Sequence, residues 1–158
     1  MTVALYLVRH AKAASRREWA GDDRDRPLTA SGTMQADALG ERLGSVRPPR
    51  LVSSPFVRCI QTLEPLARHV GLPVETEDAL GEGADLAQVV KILMSVPDRA
   101  VLCSHGDVIP DVIGALERRG MVIDGEPNWL KGSVWVLERD ASGSDQAFSH
   151  ALAWPPPD

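Results

Sequence analysis

Aromatic side chains are scarce in this chain of 158 residues, which holds four Trp, two Phe and one Tyr. Val, Leu, Ile and Ala must therefore build the core. Cysteine is nearly absent, and Cys59 and Cys103 stand outside any C-x-x-C motif. That excludes a disulfide framework and leaves two buried thiols in a reducing compartment. Positive charge is not in excess either, since the formal net charge is −5. A nucleic-acid binder would carry a basic face, so none is expected as a partner. No apolar run reaches the ~18 residues that a membrane helix needs. The N-terminus lacks the basic leader and small-residue cleavage site of a signal peptide. A soluble cytoplasmic protein without a membrane partner is the expectation.

What is present suits one ordinary domain. Apolar residues make up 44% of the chain, and a chain of this size buries a sizeable core without a staple. A single domain over residues 1–153 is expected, with a Pro-rich tail at 154–158. Val3 to Val8 is short, β-rich and apolar throughout, as a buried central strand should be. Residues 11–27 are polar and charged, and a loop that long in a compact domain tends to be functional.

Thr29 is placed to cap a helix running to about Leu43, with Met34, Leu39 and Leu43 inward and Gly44 as its stop. Arg50 to Ser53 reads as a second strand. Ser54 and Pro55 then open a helix that ends at Gly71, with Ser54 as cap. Val74 to Thr76 predicts a short strand, Asp85 a cap for a helix to about Met94, and Ala100 to Cys103 a fourth strand. A helix over Ile109 to Arg119 and a terminal hairpin, Ser133–Glu138 with Gln146–Leu152 around Ser142-Gly143, complete the reading. Strand alternating with helix predicts an α/β domain with a mostly parallel central sheet.

Reactive residues sit where such a sheet binds ligands, at the carboxyl ends of its strands. The first strand ends in Arg9-His10, the second leads to Arg58, and the fourth ends in Ser104-His105. Two arginines and two histidines gathered there repel one another unless an anion lies between them. Arginine grips phosphate oxygens in pairs and stays charged at any working pH. One imidazole, kept neutral, can attack phosphorus, and the other can stabilise the developing charge. A carboxyl group must still protonate the leaving oxygen. Glu82 is the first candidate and Asp107 the second.

The segments LYLVRHAKA, RPLTASGTMQADALGERL, LVSSPFVRCIQTLEPLA and VLCSHGDVIPDVI, in that order, resemble the histidine phosphatase superfamily, the relatives of cofactor-dependent phosphoglycerate mutase. The resemblance covers roughly residues 3–115. It implies a three-layer α/β/α sandwich of the phosphoglycerate mutase-like kind, with no metal or other cofactor. It implies His10 as the phosphorylated nucleophile, Arg9 and Arg58 as phosphoryl clamps, His105 as the second pocket histidine and Glu82 as proton donor. Ala11 stands where the family usually has Gly, and its methyl group fits only if φ is negative.

Lys12, Ser15, Arg16, Ser104 and Lys131 are candidate substrate contacts. The short length is similar to that of phosphohistidine phosphatases. Closer still is the histidine phosphatase domain that follows a Nudix domain in nucleotide-sanitising hydrolases. The features behind that are GDDRDRPLTASG, the VRCIQTLEPLA helix and the Lys131-Gly132-Ser133 turn. Without a Nudix box, a free-standing version is expected. The leading function is a phosphatase for a small phosphorylated molecule, nucleotides favoured, followed by a protein phosphohistidine phosphatase. Two other classes compete: a metallohydrolase using His10, His105, Asp107 and Asp111, and a phosphate-binding module without turnover.

Overall fold

In the computed structural model, residues 1–140 and 147–158 are described. Seven strands form one sheet: β1 (Thr2–Arg9), β2 (Leu51–Ser53), β3 (Val74–Thr76), β4 (Val101–Ser104), β5 (Val122–Asp124), β6 (Val134–Asp140) and β7 (Phe148–Trp154). Their spatial order is β3-β2-β4-β1-β6-β7-β5. β6 runs against both of its neighbours, while β1, β2, β3 and β4 pair in parallel. The sheet is thus mixed and mostly parallel.

Side chains alternate across β1 and sort into two cores. Leu5 and Leu7 face a core built with α3 (Leu86–Ser95) and α4 (Val108–Arg118), through Val89, Leu93, Val112 and Ile113. Tyr6 and Val8 face α1 (Ala30–Gly44) and α2 (Val57–Val70), through Leu39, Leu43, Leu63 and Leu66. Helices on both faces make the three-layer α/β/α sandwich.

Several local readings are corrected. Gly44 does not stop α1. It stays helical, and Arg47 takes the left-handed turn at φ 55°. Met34 points outward and is 72% exposed. The second helix starts at Val57 rather than Pro55, with Phe56 at its cap position and no side-chain cap bond; the Ser54 hydroxyl accepts the Phe56 amide at 3.2 Å instead. The β5 strand had no sequence signal beyond three residues. Trp154, placed in the tail, closes β7 and packs on Tyr6 and Arg42. The other ends agree: Thr29 and Asp85 cap their helices through the side chain, and Gly71 ends α2 at φ 71°. The turn expected at Ser142-Gly143 lies outside the described residues, as does Gln146. Among the described residues, no helix is long and apolar enough to cross a membrane.

This topology brings the candidate residues to one edge of the sheet. β2, β4 and β1 are adjacent and parallel, with Ser53 beside Cys103 and Arg9 beside Ser104. Their carboxyl ends therefore open on one rim of the sheet.

Candidate active site

A cavity of about 660 Å³ occupies that rim, lined among others by Arg9, His10, Arg58, Glu82 and His105. Lys12, Ser15, Arg16 and Lys131 line it as well. Ser104 does not. It is fully buried, and its hydroxyl donates to the Leu80 carbonyl at 2.7 Å, so the substrate contact expected of it is closed off. It ties β4 to the loop that carries Glu82.

His10 is the first residue past β1 and is 5% exposed. Its Nδ1 lies 2.8 Å from the Ala11 carbonyl. A carbonyl only accepts, so Nδ1 carries the proton and Nε2 keeps a bare lone pair. Burial, followed by the nearby His105, Arg58 and Arg9, pushes its pKa down to about 3 despite the bond to Ala11. The imidazole is neutral across any ordinary working pH. Ala11 is not among the residues with positive φ, and its buried methyl is accommodated. Its amide donates to Thr62 Oγ1 at 3.0 Å, and that hydroxyl donates to the Arg58 carbonyl at 2.7 Å. One hydroxyl on α2 therefore sets the strand end and the arginine together.

Arg58 is 1% exposed. Its Nη1 donates to the Asp23 carbonyl at 2.8 Å. Its Nη2 donates to Asp23 Oδ2 at 3.2 Å and to Glu82 Oε2 at 2.8 Å. Glu82 Oε1 accepts from Arg16 at 2.9 Å. Asp23 also meets Arg26, whose Nη1 donates to the Ala14 carbonyl at 2.6 Å. Residues 11–27 thus fold back as a braced flap. Trp19 belongs to that brace, with its Nε1 donating to the Asp22 carbonyl at 2.8 Å, and it does not line the cavity. Burial lowers the Arg9 pKa, opposed by Asp107, yet a guanidinium so moved remains charged. Lys131 is also lowered, by burial first and by the surrounding cations second.

Three buried nitrogens here have no partner among the described residues: Arg9 Nε, Arg58 Nε and His105 Nδ1. All belong to residues that line the cavity with His10. Unpaired buried polar atoms are costly and rare, and the two guanidinium N–H groups among these suit an acceptor. The rings of His10 and His105 lie 5.5 Å apart, edge to face. Asp107 Oδ2 accepts the Gly83 amide at 2.8 Å, which fixes the loop just past Glu82. Among the described residues, no group of three or more His, Cys, Asp or Glu is gathered so as to hold a metal ion. The His10, His105, Asp107 and Asp111 set therefore does not assemble.

Sequence reasoning missed Asp23, Ser54 and Thr62. The signal for Thr62 was its place one helical turn beyond Arg58. Asp23 and Arg26 lay in the alternating acids and bases of GDDRDRP.

Gly106 permits the close seat of Arg9. A β-carbon there would lie 2.5 Å from Arg9 Cζ. The obstructing atoms are the end of a flexible side chain, so Gly106→Ala should fold but drive the guanidinium off its place. A loss in kcat/KM on the order of 10²-fold is expected, with thermal unfolding nearly unchanged. A variant as active as the parent would show that Arg9 need not sit there.

The residue pattern of the histidine phosphatase superfamily (branch 1) matches residues 5–85. Over 99% of its length the chain is 36% identical to a protein of Mycolicibacterium smegmatis named 8-oxo-(d)GTP phosphatase. It spans 49% of that relative, about half its length. Among solved structures, one described as a phosphohistidine phosphatase SixA of Nakamurella multipartitia superposes with a TM-score of 0.76. The two are 28% identical, over 100% of this chain and 98% of that one. A mycobacterial glucosyl-3-phosphoglycerate phosphatase shares the fold, with a TM-score of 0.66 and 21% identity over 97% of each chain. With the strand-end histidines and arginines converging on one cavity, this chain belongs to the histidine phosphatase superfamily, branch 1.

Proposed function

We propose that this protein is a metal-independent phosphatase that takes a phosphoryl group from a small phosphorylated molecule, nucleotides favoured, onto His10. The observation that carries the reading is the bare Nε2 of His10, a residue lining a cavity that Arg9, Arg58 and His105 also line, each of them with a buried nitrogen unpartnered among the described residues. Nε2 attacks phosphorus, a P–N bond forms, and the P–O bond to the leaving group breaks in line. Arg9, Arg58 and His105 hold the equatorial oxygens, where charge builds in the transition state. Water then cleaves the P–N bond, releasing phosphate and restoring the imidazole.

Glu82 is the proton donor in this reading. Both of its oxygens are held by arginines, so one ion pair must open as substrate enters. An anionic substrate drives that exchange by competing for the same guanidinium groups. The outer lining of Lys12, Arg16 and Lys131 supplies charge for phosphates beyond the transferred one, which favours a nucleoside polyphosphate. The relative named 8-oxo-(d)GTP phosphatase points the same way.

A protein phosphohistidine is the second reading, favoured by the superposition on the structure described as SixA. Its phosphoramidate leaving group needs less acid assistance. The test is a screen of phosphomonoesters, nucleoside di- and triphosphates and a phosphohistidine protein, with and without a strong chelator. Chelator-resistant turnover of a nucleotide is expected, with a base-stable, acid-labile phosphoryl adduct on the protein. Glu82→Gln should slow the nucleotide far more than the phosphoramidate. Turnover lost to the chelator, or no adduct with any turned-over substrate, would overturn the proposal.

A further inference from the structure

Parallel pairing of β2 with β4 aligns Ser53 with Cys103, and the Ser54 amide donates to the Cys103 carbonyl at 3.0 Å. The next residue on each strand end then brings Ser54 Oγ to 2.8 Å from His105 Nε2. Both residues are within 1% of full burial. The contact is direct and shielded from water, and it engages the one ring nitrogen of His105 that has a partner. We propose that Ser54 is a positioning residue for the reaction: its hydroxyl donates to His105 Nε2 and so keeps the ring proton on Nδ1, pointed at the transferring phosphoryl oxygens.

Two arguments set the direction of that hydrogen bond. Ser54 Oγ already accepts the Phe56 amide at 3.2 Å, and its own hydrogen must find an acceptor in a buried place. Nε2 offers a well-placed lone pair. In the opposite arrangement Nε2 would carry the proton and Nδ1 would present a lone pair. Nδ1 is buried with no protein partner on a residue lining the phosphoryl cavity. A lone pair there would face the lone pairs of phosphoryl oxygens, and the site would repel its ligand. With the proton on Nδ1, the same nitrogen becomes a donor that waits for an oxygen.

The surroundings leave the task to Ser54. Cys59 Sγ is 3.6 Å from Nε2, and its hydrogen has the Ser104 carbonyl at 3.7 Å. A thiol is a weak donor and cannot replace the hydroxyl. Phe56 packs edge-on against the ring at 4.7 Å between centroids, which restrains its tilt but not its proton.

The kinetic consequence rests on the phosphohistidine reading above, and the tautomer itself does not. The experiment is nitrogen NMR of histidine-labelled protein, with the His105 signals assigned by His105→Gln. The intact protein is expected to show a protonated Nδ1 and a bare Nε2 for His105. Ser54→Ala should shift both resonances toward a mixture of the two tautomers. With p-nitrophenyl phosphate as the probe, the same variant should lose roughly tenfold in kcat, the worth of one buried hydrogen bond, with KM changed less than kcat. Ser54→Thr, which keeps the hydroxyl, should restore the His105 signals wherever it folds. A proton on Nε2 of His105 in the intact protein overturns the proposal, whether or not any substrate is turned over. So does a Ser54→Ala variant whose His105 spectrum and kcat match the parent. Failure of the phosphohistidine reading would show instead as turnover without a protein adduct, leaving the spectra untouched.

Discussion

His10→Ala should lower kcat/KM on the order of 10⁴-fold or more and remove the phosphoryl adduct entirely. The size follows from what the side chain supplies. In the proposed reaction its Nε2 is the nucleophile, and no second buried imidazole nitrogen lining the cavity has a free lone pair once His105 Nδ1 holds a proton. Binding should survive. Arg9, Arg58 and His105 remain, and the backbone bond from the His10 amide to the Ser104 carbonyl at 3.2 Å does not depend on the side chain. Inorganic phosphate or vanadate should therefore bind the variant within a few-fold of the parent. Removing the neutral ring also relieves no charge, since its pKa near 3 keeps it unprotonated beside the arginines. The measurement pairs steady-state kinetics with calorimetric anion binding. Full activity in the variant would end the covalent mechanism. Lost anion binding with lost activity would move His10 from attack to ground-state binding.

The fold was legible because its signals were physical and local. Val3 to Val8 is apolar on both faces, and only a strand covered by helices on both sides tolerates that. Arg9-His10, Arg58 and His105 each followed such a run, so parallel pairing alone was enough to bring them together. What could not be read depended on contacts between distant segments. Ser54 looked like a helix cap because Ser-Pro opens helices, and nothing nearby in the chain reveals that His105 claims its hydroxyl. Met34 stands five residues before Leu39, about 140° round the helix, so its side chain leaves the face that Gly32, Ala36, Leu39, Gly40 and Leu43 bury. Ser104 was singled out for standing beside His105. The two-residue period of a strand sends neighbours to opposite faces, and that period was the better guide.

The flap over residues 11–27 shows the same division. Its charge pattern was plain, but its pairing was not. Asp23 holds Arg58, Arg26 and Arg16, while Glu82 reaches Arg58 and Arg16 from the other side. Two acids from separate loops thus neutralise the Nη edge of a guanidinium whose Nε is buried without a partner among the described residues, and which in the proposed reaction receives the ligand. The carboxylates aim the arginine as well as balancing it. They also lend the empty site counter-charges that a bound phosphoryl group then competes with.

Arg58→Lys tests that division of the guanidinium, and the expected loss in kcat/KM is about 10²- to 10³-fold although the formal charge is kept. Arg58 binds on three sides at once. Nη1 reaches the Asp23 carbonyl, Nη2 reaches Asp23 and Glu82 together, and Nε, unpartnered among the described residues, serves the anion in the proposed reaction. Its plane also lies 4.9 Å from the centre of the Phe56 ring. A lysine has one nitrogen for all of this and no planar fork. If that ammonium goes to the carboxylates it leaves the phosphoryl oxygens, and if it turns to the anion it strands Asp23 and Glu82. Either choice costs one set of contacts, so stability should fall by roughly 1–3 kcal/mol even as some charge attraction remains. Phosphate affinity should drop far less than kcat, because a point charge holds an anion without orienting it for in-line attack. Thermal unfolding, anion binding and single-turnover adduct formation, measured together, separate the three effects. A lysine variant within fivefold of the parent in adduct formation would mean that charge alone suffices at this position and that the three-sided hold is incidental.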